Sequence, residues 1–171
     1  NIPCRYGQRW MWDGVEFFIW HPDETTVFSN QHPRKPNEMS CVLEVRNTQS
    51  SLWLTGDVEK QGEAKITERL DADMLKEIGA RELIFMAPHH GSKTSSSLAL
   101  LKRLDPDQAF AQNGYRNRYG HPHPDVTVRY RGLDIPFYQT PETGFQTWLF
   151  KNNAKSSTHF WRHDIKRLWH R

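Results

Sequence analysis

The sequence predicts a layered α/β fold, with α+β character, built on a mixed β-sheet. Three observations point to it. Through the middle of the chain, short apolar runs alternate with stretches of helical spacing, the order of a parallel sheet with crossover helices. Hairpin-like pairs of runs flank that middle, so the sheet is mixed rather than purely parallel. The 171 residues, 36% hydrophobic and 12% aromatic, suit one core of ordinary size.

The elements follow in order. "GVEFFIW" (14–20) is an apolar and aromatic run of strand character, and the Pro-rich "HPDETTVFSNQHPRKPN" (21–37) is a long loop. "SCVLEVRN" and "SSLWLTGD" form a hairpin across a short polar turn. Between Glu63 and Ile78, the residues Ile66, Leu70, Met74 and Ile78 recur at helical spacing, with a break near Asp71 and a stop at Gly79. "ELIFMA" (82–87) is a buried strand bounded by Pro88. Ser95 to Ser97 cap a helix carrying Leu98, Leu101 and Leu104, which stops before Pro106. "QAFAQN" (108–113) is a further strand, "GYRNRYGHPHP" (114–124) a loop, and 125–131 a helix. "IPFYQT" and "GFQTWLF" read as a closing hairpin. Residues 1–150 thus form the domain. The basic tail 151–171 places Phe160, Trp161, Ile165, Leu168 and Trp169 on one helical face and is expected as a helix packed back on the domain, in preference to contact with DNA or an anionic membrane.

The net charge of +3 is too mild to argue for nucleic acid on its own. No stretch of 18 apolar residues is present to span a membrane. Asn1 opens the chain and no apolar leader follows, so the chain is expected to begin inside a longer protein, as a fragment or a processed product. Cys4 and Cys41 form no metal-binding Cys pattern. Two unrelated buried thiols and one disulfide both fit them.

Three polar clusters end three apolar runs: Asp57 after "SLWLTG", His89 and His90 after "LIFMAP", and His121 and His123 after "QAFAQN". In layered α/β folds the loops outside the carboxyl ends of the strands line the ligand crevice. One carboxylate and up to four imidazoles would converge there, a donor set suited to Zn and related divalent ions or to a phosphate. Singly, Asp57 reads as a turn residue and the histidines as loop residues; together they favour the metal or phosphate site. Gly56 and Gly91 allow close backbone approach. Ser92, Thr94 and Ser95 to Ser97 offer hydroxyls at a helix N-terminus, where anionic oxygens bind. Lys93, Arg116 and Arg118 add positive charge, and Tyr115 and Tyr119 interleave rings that suit base stacking, or simply pack a solvated loop.

"LWLTGDVE", "APHHGSKTSSS" and "NGYRNRYGHPHPDV", with "WDGVEFFIWHP" and "NEMSCVLEV", make the stretch from about Trp12 to Phe150 resemble the C-terminal metallo-β-lactamase-like domain of ComEC-type DNA-internalisation proteins of natural competence. The resemblance implies an αββα sandwich of two halves with a two-metal site, Zn or Mn, at the seam. This chain looks like the C-terminal half. The implied activity is metal-dependent hydrolysis of phosphodiesters, as a nuclease acting on DNA during uptake. The implied place is the periplasmic, extracytoplasmic side of the bacterial inner membrane, which favours a Cys4–Cys41 disulfide.

Carried over residue by residue, Asp57 matches the metal-bridging carboxylate and His90 the last histidine ligand. His89 would stabilise phosphate charge, and His121 and His123 would contact the substrate or leaving group. The exchange of roles between His89 and His90 stays open. Ser92, Lys93, Thr94, Arg116 and Arg118 would hold the DNA backbone. The family's HxHxDH signature is absent here, and His21 and His32 occupy no matching motif. The chain alone is therefore expected to hold little or no catalytic metal and to be inactive by itself. Implied partners are DNA, the remainder of the same polypeptide with its membrane channel, and a second copy of the chain on the exposed half-sandwich face. The competing expectation is a non-catalytic DNA-binding or channel-docking module.

Overall fold

The computed structural model describes residues 2–24, 35–151 and 154–165. Among them, seven strands form one mixed sheet in chain order: β1 (Arg9–Trp12), β2 (Val15–His21), β3 (Val42–Arg46), β4 (Ser50–Leu54), β5 (Glu82–Met86), β6 (Gln108–Ala111) and β7 (Phe137–Gln139). The first four pair antiparallel and β4 to β7 pair parallel. Each parallel step needs a crossover. Helices α1 (Lys60–Arg69) and α2 (Ala72–Gly79) link β4 to β5, α3 (Leu98–Leu104) links β5 to β6, and α4 (Pro124–Gly132) links β6 to β7. The helical stretch breaks at Asp71, whose side chain accepts from Met74 N and caps α2.

All four helices share one core with one face of the sheet. Ile66, Ile78, Leu101, Val126 and Tyr130 pack with Trp20, Val42, Trp53, Phe85 and Ala109 in a single buried cluster. Crossovers that step steadily in one direction, each of the same hand, put their helices on the same side. Large side chains buried in this way contribute roughly 1.5–3 kcal/mol each. Glu44 lies in this layer, fully buried, and is paid for in hydrogen bonds: Trp20 Nε1 donates to it at 2.9 Å and Ser51 Oγ at 2.8 Å.

Strand side chains alternate between faces. On the face away from the helices, Phe17, Leu43, Val45, Leu52 and Leu54 are only partly buried. One end of that face is covered by a separate hairpin of β8 (Gln146–Lys151) and β9 (Ala154–Phe160), through ring contacts of Phe110 with Trp148 and of Tyr138 with Phe160.

Two sequence expectations change here. "IPFYQT" and "GFQTWLF" do not pair with each other. β7 joins β6 in parallel, a one-turn helix α5 (Thr140–Thr143) and Gly144 at φ +71° redirect the chain, and β8 pairs with β9 instead. The tail is not one helix. Its first part is β9, whose Thr158 and Phe160 favour a strand, and helix α6 spans only Trp161–Asp164. It does pack back on the domain, with Ser156 N donating to Glu82 at 2.8 Å. Leu168, Trp169 and His32 lie outside the described residues.

Candidate active site at the carboxyl ends of the parallel strands

The loops after β4, β5 and β6 meet at one rim. After β4, Gly56 takes φ +54°, and a Cβ there would meet Ser40 Cβ at 3.3 Å. Asp57 N donates to Ser40 Oγ at 3.2 Å, and Val58 beside it is fully buried, so the loop is pinned from within. Asp57 keeps its carboxylate half exposed.

After β5, Pro88–Gly91 makes a short 3-10 turn in which both histidines are left-handed, His89 at φ 49° and His90 at φ 55°. For non-glycine residues such backbones cost roughly 1–3 kcal/mol each and persist only where their surroundings hold them. Three contacts do so here. His89 N donates to Gly56 O at 3.0 Å, His123 N donates to Gly91 O at 2.8 Å, and Gly91, at φ +81°, packs so tightly that a Cβ would come within 2.6 Å of Pro122 Cβ.

The turn aims the two rings in different directions. His90 Nδ1 lies 2.6 Å from Gln112 O, so it carries the proton and donates to that carbonyl. His90 Nε2 then presents its lone pair 3.7 Å from Asp57 Oδ1. That gap is beyond hydrogen-bond reach, and two electron-rich atoms face one another across it. Metal-ligating histidines share this feature, a carbonyl that fixes the tautomer from the far side of the ring. His89 Nδ1 sits 3.3 Å from Glu59 Oε1, which also accepts from Thr94 Oγ1 at 3.0 Å. The His121 ring lies 5.6 Å from that of His89 and stacks on Tyr119 at 5.8 Å. Burial, and then the neighbouring His89, His90 and His123, lower the pKa of His121 below the ordinary histidine value.

The other site residues divide. Lys93, Arg116 and Arg118 are exposed around the rim; Lys93 Nζ lies 3.7 Å from Asp125 Oδ2, and Arg118 rests over the Tyr119 ring. Thr94 is exposed. Ser92 is buried with its hydroxyl turned to Thr94 Oγ1 at 3.0 Å. His123 Nδ1 accepts from Asp125 N at 3.2 Å and caps α4. The expected anion site at the start of α3 is already filled from inside. The buried carboxylate of Glu63 accepts from Ser96 N at 2.5 Å and Ser97 N at 2.7 Å, and Ser95 and Ser96 are wholly buried. His21 is buried too, its Nδ1 3.0 Å from Ser40 O, in the core rather than at the rim.

Sequence reading passed over Glu59, Asn37, Gln112 and Asn113. Glu59 stands two residues beyond Asp57 in the same loop, the one signal available. Asn37 Nδ2, 3.4 Å from His89 Nδ1, comes from the long Pro-rich loop, which the sequence connects to nothing.

Among the described residues no group of three or more His, Cys, Asp or Glu side chains is placed to hold a metal ion. Asp57 and His90 fit one side of a metal site and do not complete it, since a closed Zn site takes three or four protein ligands. Cys4 and Cys41 are joined as a disulfide, tying the N-terminal arm to the entry of β3. No helix among the described residues is long and apolar enough to cross a membrane.

The structure is thus a layered α/β domain with an Asp–His rim at the carboxyl ends of its parallel strands. No protein-family model matches the chain. It is 34% identical over 137 residues to Competence protein ComA of Neisseria gonorrhoeae, covering 80% of this chain and 18% of that protein. It is 33% identical over 148 residues to the Uncharacterized protein YcaI of Escherichia coli, covering 86% and 18%. Recombination protein 2 of Haemophilus influenzae is 33% identical over 126 residues, covering 74% and 14%. The chain is homologous to a segment of competence proteins and spans less than a fifth of the length of these relatives.

Proposed function

We propose that this chain is part of a metal-dependent nuclease domain of a DNA-uptake protein, cutting phosphodiester bonds of DNA during natural transformation. The observation that carries this reading is the Asp57–His90 pair, with His90 locked by Gln112 O into the tautomer whose lone pair faces Asp57. Asp57 and His90 would supply two donors to a pair of divalent ions, and other parts of the polypeptide the rest. Such ions supply Lewis acidity toward a phosphate oxygen. His89, oriented by Glu59, stabilises charge on the phosphate, and Lys93, Arg116 and Arg118 hold the DNA backbone along the exposed rim. The similarity to Competence protein ComA supports the setting.

The partly exposed apolar sheet face supports the half-sandwich reading, with the remaining polypeptide as its cover. The disulfide supports an extracytoplasmic position at the inner membrane, because such bonds persist in oxidising compartments. The test is a nuclease assay with Mn²⁺ or Zn²⁺ on the longer protein containing this chain, wild type against Asp57→Ala. Loss of cleavage in the variant supports the assignment. Equal cleavage by both proteins counts against it and leaves a non-catalytic DNA-binding module.

A further inference from the structure

The stretch 37–41 touches two of the three turns of the rim. Asn37 Nδ2 lies 3.4 Å from His89 Nδ1 and 3.5 Å from Glu59 Oε1. Ser40 Oγ accepts from Asp57 N at 3.2 Å. Ser40 and Cys41 also fill the space at Gly56, where a Cβ would meet Ser40 Cβ at 3.3 Å and Cys41 O at 3.4 Å. The place of the Asp57 turn is therefore set by the place of Ser40.

Cys41 follows Ser40 directly and stands one residue before β3, which begins at Val42. Its disulfide to Cys4 is the covalent hold on this end of the stretch. The arm that carries Cys4 is itself fixed to β2. Tyr6 N donates to Pro22 O at 2.7 Å, Gly7 N donates to Ile19 O at 3.0 Å, and the Tyr6 ring packs edge-on against Phe18. Cys41 is exposed, and Cys4 lines an open groove with Gln8, Trp10 and Ile19, so the crosslink lies at the surface.

We propose that the Cys4–Cys41 disulfide is a redox-sensitive latch on the Asp57 turn, acting through Ser40 as a positioning residue. Its consequence for chemistry rests on the reading of Asp57 as a metal-binding carboxylate; the latch itself does not. The reagent that opens it is a dithiol. One thiolate attacks Cys41 Sγ, forming a mixed disulfide and releasing Cys4 as thiolate, and the second thiolate then displaces Cys41. The S–S bond of this chain takes up two electrons and two protons to give two thiols, and the dithiol ends as a disulfide. Ser40 is then left with hydrogen bonds alone: from Asp57 N to its Oγ, from its N to Asn37 O at 3.1 Å, and from its O to His21 Nδ1 at 3.0 Å. Each contributes little on its own, so the stretch opens locally and Asp57 N loses its fixed acceptor. An oxidising compartment keeps the latch shut.

Hydrogen exchange followed by NMR on the full chain tests the latch without metal or DNA. The Asp57 amide is compared before and after reduction with a dithiol. The reference is the Met74 amide, which also donates to a side-chain oxygen, Asp71 Oδ1, at the start of α2. Exchange at Asp57 is expected to quicken about tenfold or more while Met74 keeps its rate, since only a local opening changes. Ser40→Ala keeps the disulfide. In the oxidised chain it is expected to quicken Asp57 exchange to a similar degree and to abolish the response to reduction. Equal acceleration at the two amides overturns the proposal, because the bond then braces the whole fold. Unfolding on reduction overturns it for the same reason. An Asp57 amide unmoved by reduction, or a Ser40→Ala chain that exchanges and responds like wild type, overturns it as well. All these outcomes leave the nuclease reading standing, which cleavage by Asp57→Ala judges separately.

Discussion

His90 Nε2 faces Asp57 Oδ1 at 3.7 Å, across the ends of two adjacent parallel strands. Thirty-three positions of chain separate the two residues, and the register of β4 on β5 sets the gap. In the longer protein, Asp57→Ala and His90→Ala are each expected to lower DNA cleavage by about a hundredfold or more, since even residues that only support a metal ligand are worth roughly 10–100-fold. Both side chains are half exposed, so thermal melting of the variants should stay within about 0.5 kcal/mol of wild type.

Gly91 is the second point of sensitivity. Gly91→Ala places a Cβ 2.6 Å from Pro122 Cβ on a backbone at φ +81°. Loss of about 1–3 kcal/mol in urea unfolding is expected, together with loss of activity in the longer protein as the His89–His90 turn shifts. A variant as stable and active as wild type would show that the turn does not depend on this contact.

Stability should also depend on pH through His21. Burial lowers its pKa below 6.5, with Asp23, Lys65 and Arg69 acting on it at longer range. A base with a depressed folded pKa is neutral in the folded chain and takes up its proton more readily in the unfolded one. Its contribution is thus fully present above about pH 6.5 and is lost as pH falls through that value toward the folded pKa. Denaturant unfolding between pH 7.5 and pH 5 should show this decline, and His21→Phe should flatten that part of the curve.

The disulfide closes a separation of 37 residues. Cys4→Ser with Cys41→Ser is expected to reduce stability by about 2–4 kcal/mol, the range for loops of this order. Equilibrium unfolding of oxidised wild type against the double variant measures it.

The bare sheet face provides a separate check on the half-sandwich reading. Leu43→Glu or Val45→Lys should leave the fold of this chain intact by circular dichroism, because both side chains are partly exposed. In the longer protein the same changes should destabilise the domain, if another layer covers that face. Equal tolerance in both settings would argue that nothing does.

Much of the frame was legible in the residues. The four-residue recurrence from Ile66 to Ile78 marked α1 and α2, and the Ser97 cap marked α3, because local spacing and capping chemistry determine such elements. The convergence of Asp57 with His89–His90 and His121 followed from apolar runs ending in polar clusters. What was hidden depends on distant pairing. Nothing near Phe137 shows that it pairs beside Ala109 rather than turning back on Trp148, and nothing in "SSTHF" shows that it pairs with the strand before it. Glu63 was hidden for a different reason. Burial raises its pKa while the hydrogen bonds from Ser96 and Ser97 oppose that rise, and those bonds make it the clamp that shapes the serine loop.

The cross-ties of the rim, His89 N to Gly56 O and His123 N to Gly91 O, have a consequence for biosynthesis. No one of the three turns can acquire its working shape while the others are unmade. The rim geometry is therefore complete only after residue 123 has been synthesised and the three strands have docked.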